Sequence, residues 1–517
     1  MDFTRSAGII LHPTSLSGPY GIGDLGKTAY EFIDFLAAAE IGLWEVLPLG
    51  PTGYGESPYQ CFSAFAGNPL LISPEVLIQD NLLSAGILEK APKFRNKKVD
   101  FSRVTRWKEQ LLFLAFKQFT DRTPDDKIVG EFELFCQDES DWLDDYALFS
   151  AIKIDHQKVS WNEWSLNLRM NHEDAIEKYK KHNSHKVRRQ AFIQFLFFKQ
   201  WRAILAYAHK KGIKIIGDIP LFVAFDSADV WAHPELFDLN VKRKPRTVAG
   251  VPPDYFSQTG QLWGNPHYRW AQHKKTGYEW WKSRFKKTLE LVDVLRVDHF
   301  RGFGGFWEVR AGEPTAQNGR WVQGPGSTFF KEIQKSLGVL PIIAEDLGVI
   351  TQDVNEMLND LNYPGMRILQ FGFGSDANDA FLPHNYCKNC VAYTGTHDNA
   401  TARGWYLDAP DNEKEFARKY LNSSGKNIAW NMLKAVWASR ADLALAPMQD
   451  FLNLGNEARM NFPGKLGGNW DWRMPANVLT DKLTDKIKEL NNTYGRNSTN
   501  LHPKEKYAII HYEKAGR

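Results

Sequence analysis

Short apolar runs of four to six residues, rich in β-branched and aliphatic side chains and closed by Pro, Gly or a polar residue, recur along this chain of 517 residues. Such runs are the pattern of strands buried on both faces of a parallel sheet. There are eight: AGIIL (7–11), WEVLPL (44–49), IKIIGD (213–218), DVLRVD (293–298), PIIAED (341–346), MRILQF (366–371), CVAYTG (390–395) and DLALAP (442–447). Amphipathic, helix-compatible segments separate them, such as AYEFIDFLAAAEIG (29–42) and FIQFLFFKQWRAILAYAHKKG (192–212). The second ends at Gly212, the residue type that C-caps favour. Strand and helix alternating eight times predict an α/β fold, a closed (β/α)8 TIM barrel.

The spacing is uneven. Some 160 residues separate the second and third runs, far more than one crossover helix requires. The barrel is therefore expected to carry large inserted subdomains, at about 50–195, 221–285 and 400–440. No internal repeat, low-complexity tract or linker interrupts the chain, so residues 1–517 read as a single catalytic unit.

Composition narrows the partners. With 64 basic against 61 acidic residues the formal net charge is +3, and no global field recruits nucleic acid or anionic lipid. An uncharged partner is expected. The densest basic tract, KYKKHNSHKVRR (178–189), adjoins acidic residues and reads as a solvated helix face. The start, MDFTRSAGIILHPTSL, breaks its apolar run at His12 and Pro13, which fits neither a signal peptide nor a membrane anchor, and a cytoplasmic location is expected. Four cysteines make no disulfide framework. Cys387 and Cys390 form one CxxC pair; His384 is the sole nearby further ligand, so the pair reads as strand-edge thiols rather than a zinc site.

Barrel active sites lie at the C-terminal ends of the strands, and those ends are acidic here. The third run closes at Asp218, the fourth at Asp298, the fifth at Glu345 and Asp346, and the seventh leads into THDN with His397, Asp398 and Asn399. Helix capping explains any one of them. A shared rim crowded with carboxylates is better explained by chemistry. Convergent carboxylates suit glycoside cleavage, where one attacks or steadies an oxocarbenium-like centre and another protonates the leaving oxygen. In VLRVDHFRGF (294–303), alternation puts Val294, Arg296 and Asp298 on one face. Arg296 is expected to hold Asp298 ionised as the nucleophile, while Glu345, after the apolar PIIA, is expected to be raised toward the range of a general acid.

VLRVDHFRGF, PIIAEDLG and YTGTHDN resemble the strand four, five and seven motifs of the amylomaltase or 4-alpha-glucanotransferase family, glycoside hydrolase family 77. Further similar blocks follow in family order: HPTSLSGPYGIGDLG (12–26), VLPLGPTGYGESPYQ (46–60), GDIPLFVAFDSADVW (217–231), GVPPDYFSQTGQLWGNPHY (250–268) and ARMNFPGKLGGNWDWR (458–473). The resemblance implies Asp298 as nucleophile, Glu345 as general acid and base, and Asp398 as the carboxylate that steadies the transition state. It places Asp218, Arg296, His299, His397 and Asn461 around the reacting glucose, and Ser57, Tyr59, Gln261 and Trp263 along the glucan path. Its substrates would be alpha-1,4-glucans and maltooligosaccharides, handled without metal or organic cofactor by a monomer or weak homo-oligomer. Two departures stand out: Ser17 where proline is expected, and Glu45 where glutamine is usual.

The chain holds 18 Trp, 18 Tyr and 33 Phe, and sugars stack on such rings. Pro252, Pro253, Gly260, Gly264 and Pro266 make GVPPDYFSQTGQLWGNP read as a loop that exposes Tyr255, Phe256 and Trp263, a lid that would exclude water and favour transfer over hydrolysis. A retaining glucan hydrolase of the same clan is the nearest rival. A noncatalytic glucan-binding protein should have lost Asp298 or Glu345, and both are present. No glycine-rich phosphate loop follows the seventh or eighth run, which disfavours a phosphate-dependent barrel enzyme.

Overall fold

All eight apolar runs become the staves of one closed barrel. The computed structural model describes residues 3–253, 257–348, 350–465 and 467–497. Its strands, in chain order, are β1 (Ser6–Ile10), β2 (Leu43–Glu45), β3 (Lys214–Pro220), β4 (Thr247–Val251), β5 (Gln261–Pro266), β6 (Val294–Asp298), β7 (Gly305–Arg310), β8 (Gly319–Gln323), β9 (Ile342–Ala344), β10 (Gly365–Ile368), β11 (Cys390–Tyr393) and β12 (Leu443–Pro447). The barrel closes in the order β1-β12-β11-β10-β9-β6-β3-β2, every pair parallel. This is a (β/α)8 barrel.

Alternation decides which side chains go where. Leu43, Ile216, Val294, Ile343, Val391 and Leu443 fill the barrel interior. Their neighbours Trp44, Ile215, Leu295, Val297, Ile342 and Ala444 point outward into the larger core beneath the helices. Each such aliphatic side chain contributes roughly 1.5–3 kcal/mol by leaving water. Close approach also limits residue choice: a Cβ on Gly217 would sit 2.7 Å from the Val292 side chain.

The stretch between β2 and β3 carries the helices Phe101–Thr120, Lys127–Asp138, Ser140–Asp155 and Glu173–Lys210. The last begins with Glu173 and Asp174 and ends with His209 and Lys210, charges that complement the helix dipole. Its distal half is buried and anchors the barrel, with the Trp201 indole N–H donating to the Leu291 carbonyl at 2.8 Å. The basic tract lies on its solvated half, where Lys186 pairs with Asp155 at 2.8 Å and Arg188 with Glu133. Helices Ala402–Asp408, Asp411–Tyr420 and Ile428–Ala438 lie between β11 and β12. Among the described residues no helix is long and apolar enough to cross a membrane.

Two sequence expectations need correction. The 250–266 segment is not simply a loop: its ends are β4 and β5, which join β7 and β8 in a four-stranded antiparallel sheet ordered β5-β4-β7-β8. Proline and glycine persist there because β5 is an edge strand and Gly264 has φ +80°. Strand three also does not stop at Asp218. It runs to Pro220, so Asp218 lies inside the barrel wall, opposite Arg296.

Candidate active site

The polar side chains sit on top of the apolar barrel filling. Asp298 is the last residue of β6, Glu345 follows β9 directly, and Asp398 lies in the loop after β11. Arg296, 3% exposed, is ion-paired with Asp218 and reaches Asp298 with Nη1 at 3.2 Å. The Tyr59 hydroxyl donates to Asp218 Oδ2 at 2.6 Å. Tyr59 also stacks on His397, ring centroids 5.2 Å apart and planes 14° apart. His397 Nε2 lies 3.4 Å from Asp398 Oδ1, and the Asn461 amide donates to that same oxygen at 2.7 Å. One continuous network therefore joins Asp298, Arg296, Asp218, Tyr59, His397, Asp398 and Asn461.

Glu345 is held differently. Its two oxygens accept backbone N–H groups, Oε2 from His299 at 2.7 Å and Oε1 from Leu347 at 2.8 Å. His299 reaches that position in a left-handed conformation, φ +51°, which turns the chain sharply at the barrel rim. The Trp263 ring meets the His299 imidazole edge-on at 4.9 Å, and its indole N–H donates to Gln261 Oε1 at 3.2 Å. The Ser57 hydroxyl oxygen accepts the Tyr59 N–H at 3.2 Å. Tyr255 and Phe256, expected in the lid, lie outside the described residues.

Electrostatics revises one expectation. Arg296 does not by itself keep Asp298 in the ordinary carboxylate range: burial pushes that carboxyl up to about 7, against the pull of Arg296, with Asp218 and Asp398 adding to the rise. Spacing along one strand revealed Arg296 as a neighbour but not that Asp218 competes for it. Burial, then the Asp298 charge, pushes Glu345 up to about 7 as well, and burial raises Asp218 to about 6. The site therefore retains protons near neutrality, as acid–base chemistry requires. Burial lowers His397 to about 4 and His299 to about 3, so both imidazoles are neutral and suited to uncharged hydroxyls. Among the described residues, Asp218 Oδ1, His299 Nε2 and both His397 ring nitrogens are buried with no hydrogen-bond partner. Buried polar atoms of this kind fit the ring hydroxyls of a sugar.

These shifts carry a stability consequence. A carboxyl whose folded-state pKa is raised contributes stability that is present below its unfolded value and lost as pH rises through the folded one. Glu345→Gln is always neutral but its amide nitrogen cannot accept one of the two backbone N–H groups, so it is expected to cost about 1–3 kcal/mol at pH 4 and to gain on the parent by up to about 3 kcal/mol between pH 4 and pH 8. Denaturant titrations of both proteins at the two pH values check this.

Trp470 and Arg459 were not singled out from the sequence, and Glu45 was noted only as a departure from the family pattern. Trp470 packs 5.9 Å from both Tyr59 and His397. Arg459 donates to the Asp398 backbone carbonyl at 2.6 Å and to the Asn461 carbonyl at 2.7 Å, fixing the two segments together. Glu45 ends β2 inside the barrel, accepts the Tyr393 hydroxyl at 3.0 Å and is raised by burial to about 7. A charged residue inside the apolar run WEVLPL was a visible signal for Glu45. Trp470 had a weaker one, an aromatic within glycine-rich GGNWDW.

A (β/α)8 barrel whose C-terminal rim gathers three carboxylates and neutral imidazoles defines an enzyme of the glycoside-processing class. The family model described as 4-alpha-glucanotransferase, glycoside hydrolase family 77, matches residues 11–480, and the chain belongs to that family. The 4-alpha-glucanotransferase of Clostridium butyricum is 47% identical over 490 residues, 94% of this chain and 100% of the relative. That of Thermus thermophilus is 47% identical over 499 residues, covering 95% and 99%. The amylomaltase from Streptococcus agalactiae, solved in complex with acarbose, superposes with a TM-score of 0.92 at 37% identity, covering 95% of this chain and 100% of that one.

Proposed function

We propose that this transferase moves a segment of a (1→4)-alpha-D-glucan to the 4-hydroxyl of another glucan or of glucose by retaining double displacement. The observation that carries the reading is the network linking Asp298, Arg296, Asp218, Tyr59, His397 and Asp398 at the rim, with Glu345 held apart on backbone donors. In the first step an Asp298 oxygen attacks the anomeric carbon while protonated Glu345 gives its proton to the departing glycosidic oxygen. In the second, the acceptor hydroxyl loses its proton to Glu345, its oxygen bonds to the anomeric carbon, and Asp298 is released. Asp398, oriented by Asn461, accepts hydroxyls of the reacting ring. Asp218, Arg296, His299 and His397 surround that ring, and Ser57, Tyr59, Gln261 and Trp263 line the glucan path. No step calls for a metal or organic cofactor.

Water and a sugar hydroxyl are equally competent in the second step, so preference rests on acceptor binding. Maltotriose is expected to yield glucose and a ladder of longer chains while total reducing ends stay nearly constant, because each transfer breaks one linkage and makes one. Trp263→Ala removes a stacking face and should lower transfer roughly tenfold with a smaller loss in hydrolysis. Reducing ends that rise in step with glucose release would establish the hydrolase instead.

A further inference from the structure

We propose that Cys387 and Cys390 form a thiol–disulfide exchange site, separate from the sugar site, that takes a small disulfide of the glutathione kind as its oxidant. The pair is asymmetric in the way such chemistry needs. Cys387 is exposed, whereas Cys390 is 1% exposed and is the first residue of β11, at the N-terminal end of the strand whose C-terminal end leads to Asp398. The Cys390 thiol donates to the Cys387 carbonyl oxygen at 3.1 Å, which folds the two cysteines onto one tight turn. The charged groups facing the pair are the Arg367 guanidinium, itself anchored to Asp346 at 3.1 Å, Asp346, and on the Cys390 side Arg496.

These surroundings set the roles. The neighbouring Cys390 thiol, then the charge of Arg367, pull the Cys387 thiol down to about 6 against partial burial, while Cys390 is raised. An exposed thiolate beside a cation is the attacking sulfur, and the buried thiol is the resolving one. Cys61 and Cys136, by contrast, are pushed by burial up to about 12 and about 11. The nearest further metal ligand by sequence is engaged elsewhere: the two ring nitrogens of His384 meet the Tyr420 hydroxyl and the Ala377 carbonyl, each at 2.8 Å.

The exchange balances in two displacements. The Cys387 thiolate attacks one sulfur of the disulfide, whose S–S bond breaks and releases one thiolate, which takes a proton from solvent. Cys390 then gives up its proton, and its sulfur attacks Cys387 in the mixed disulfide and expels the second thiolate. The protein dithiol loses two electrons, and the small disulfide becomes two thiols.

The test treats the reduced full-length chain with glutathione disulfide at pH 7, blocks the remaining thiols and maps all four cysteines by mass spectrometry. The proposal expects an internal Cys387–Cys390 disulfide in the parent, glutathione retained on Cys387 in Cys390→Ser, and an unmodified Cys390 in Cys387→Ser. Glucan transfer, unchanged in both variants, reports that they are folded. Iodoacetamide on the reduced parent should label Cys387 at least about tenfold faster than Cys61 or Cys136, and this needs no variant. Glutathione remaining on Cys387 of the parent, or labelling spread evenly over the four thiols, would overturn the proposal.

Discussion

Replacing Asp298 or Glu345 by alanine is expected to lower glucan transfer by at least about 10³-fold, since in the proposed mechanism each is a group that bonds to, or passes a proton to, the reacting atoms. The two losses should differ in rescue. Alanine at 298 opens room for azide on the face from which the carboxylate attacks, so an activated alpha-glycosyl donor should give the inverted azide. Alanine at 345 leaves the glycosyl–Asp298 ester able to form from such a donor, and azide then displaces it with a second inversion, giving the retained product. The structure motivates the distinction because Asp298 is tied to the Arg296 guanidinium and Glu345 to neutral backbone donors. Product anomers read by proton NMR decide it, and the same anomer from both variants would refute the roles.

Arg296→Met should be the most damaging change that leaves all three carboxylates in place. It strands Asp218 and Asp298 without their shared cation, and breaking a buried ion pair from one side costs about 3–5 kcal/mol. The pH dependence has a definite sign. Without the guanidinium the folded-state pKa values of Asp218 and Asp298 rise further, so stability is retained where both are protonated and lost as pH climbs through the new values. The deficit against the parent is therefore expected to be small at pH 5 and largest at pH 8, with the acidic limb of the rate profile displaced to higher pH. Urea denaturation at both pH values measures this, and a deficit independent of pH would show that packing, not charge, is the role of Arg296.

The barrel was legible because strands buried on both faces must be apolar throughout, and each of the eight runs overlaps a strand. The sheet formed by β4, β5, β7 and β8 was not. Its strands are short and partly exposed, and GRWVQ and QLWGNP mix polar, glycine and proline residues without clean alternation. The rim carboxylates were visible one at a time, as acidic ends to apolar runs. What linear sequence hides is the cross-strand partner: Asp218 and Arg296 are 78 positions apart and face each other only once β3 and β6 pair. The same blindness made Arg296 look like the private partner of Asp298.

In the proposed mechanism the sugar passes through a covalent bond to Asp298. The most direct measurement is peptide mapping of the enzyme after reaction with a fluorinated alpha-glycosyl fluoride that forms the ester faster than it is released. The account predicts one glycosyl adduct, on Asp298 in the peptide containing VLRVDHF, discharged when maltose is added as acceptor. An adduct on Glu345 or Asp398, or turnover to an inverted product with no adduct at all, would contradict it.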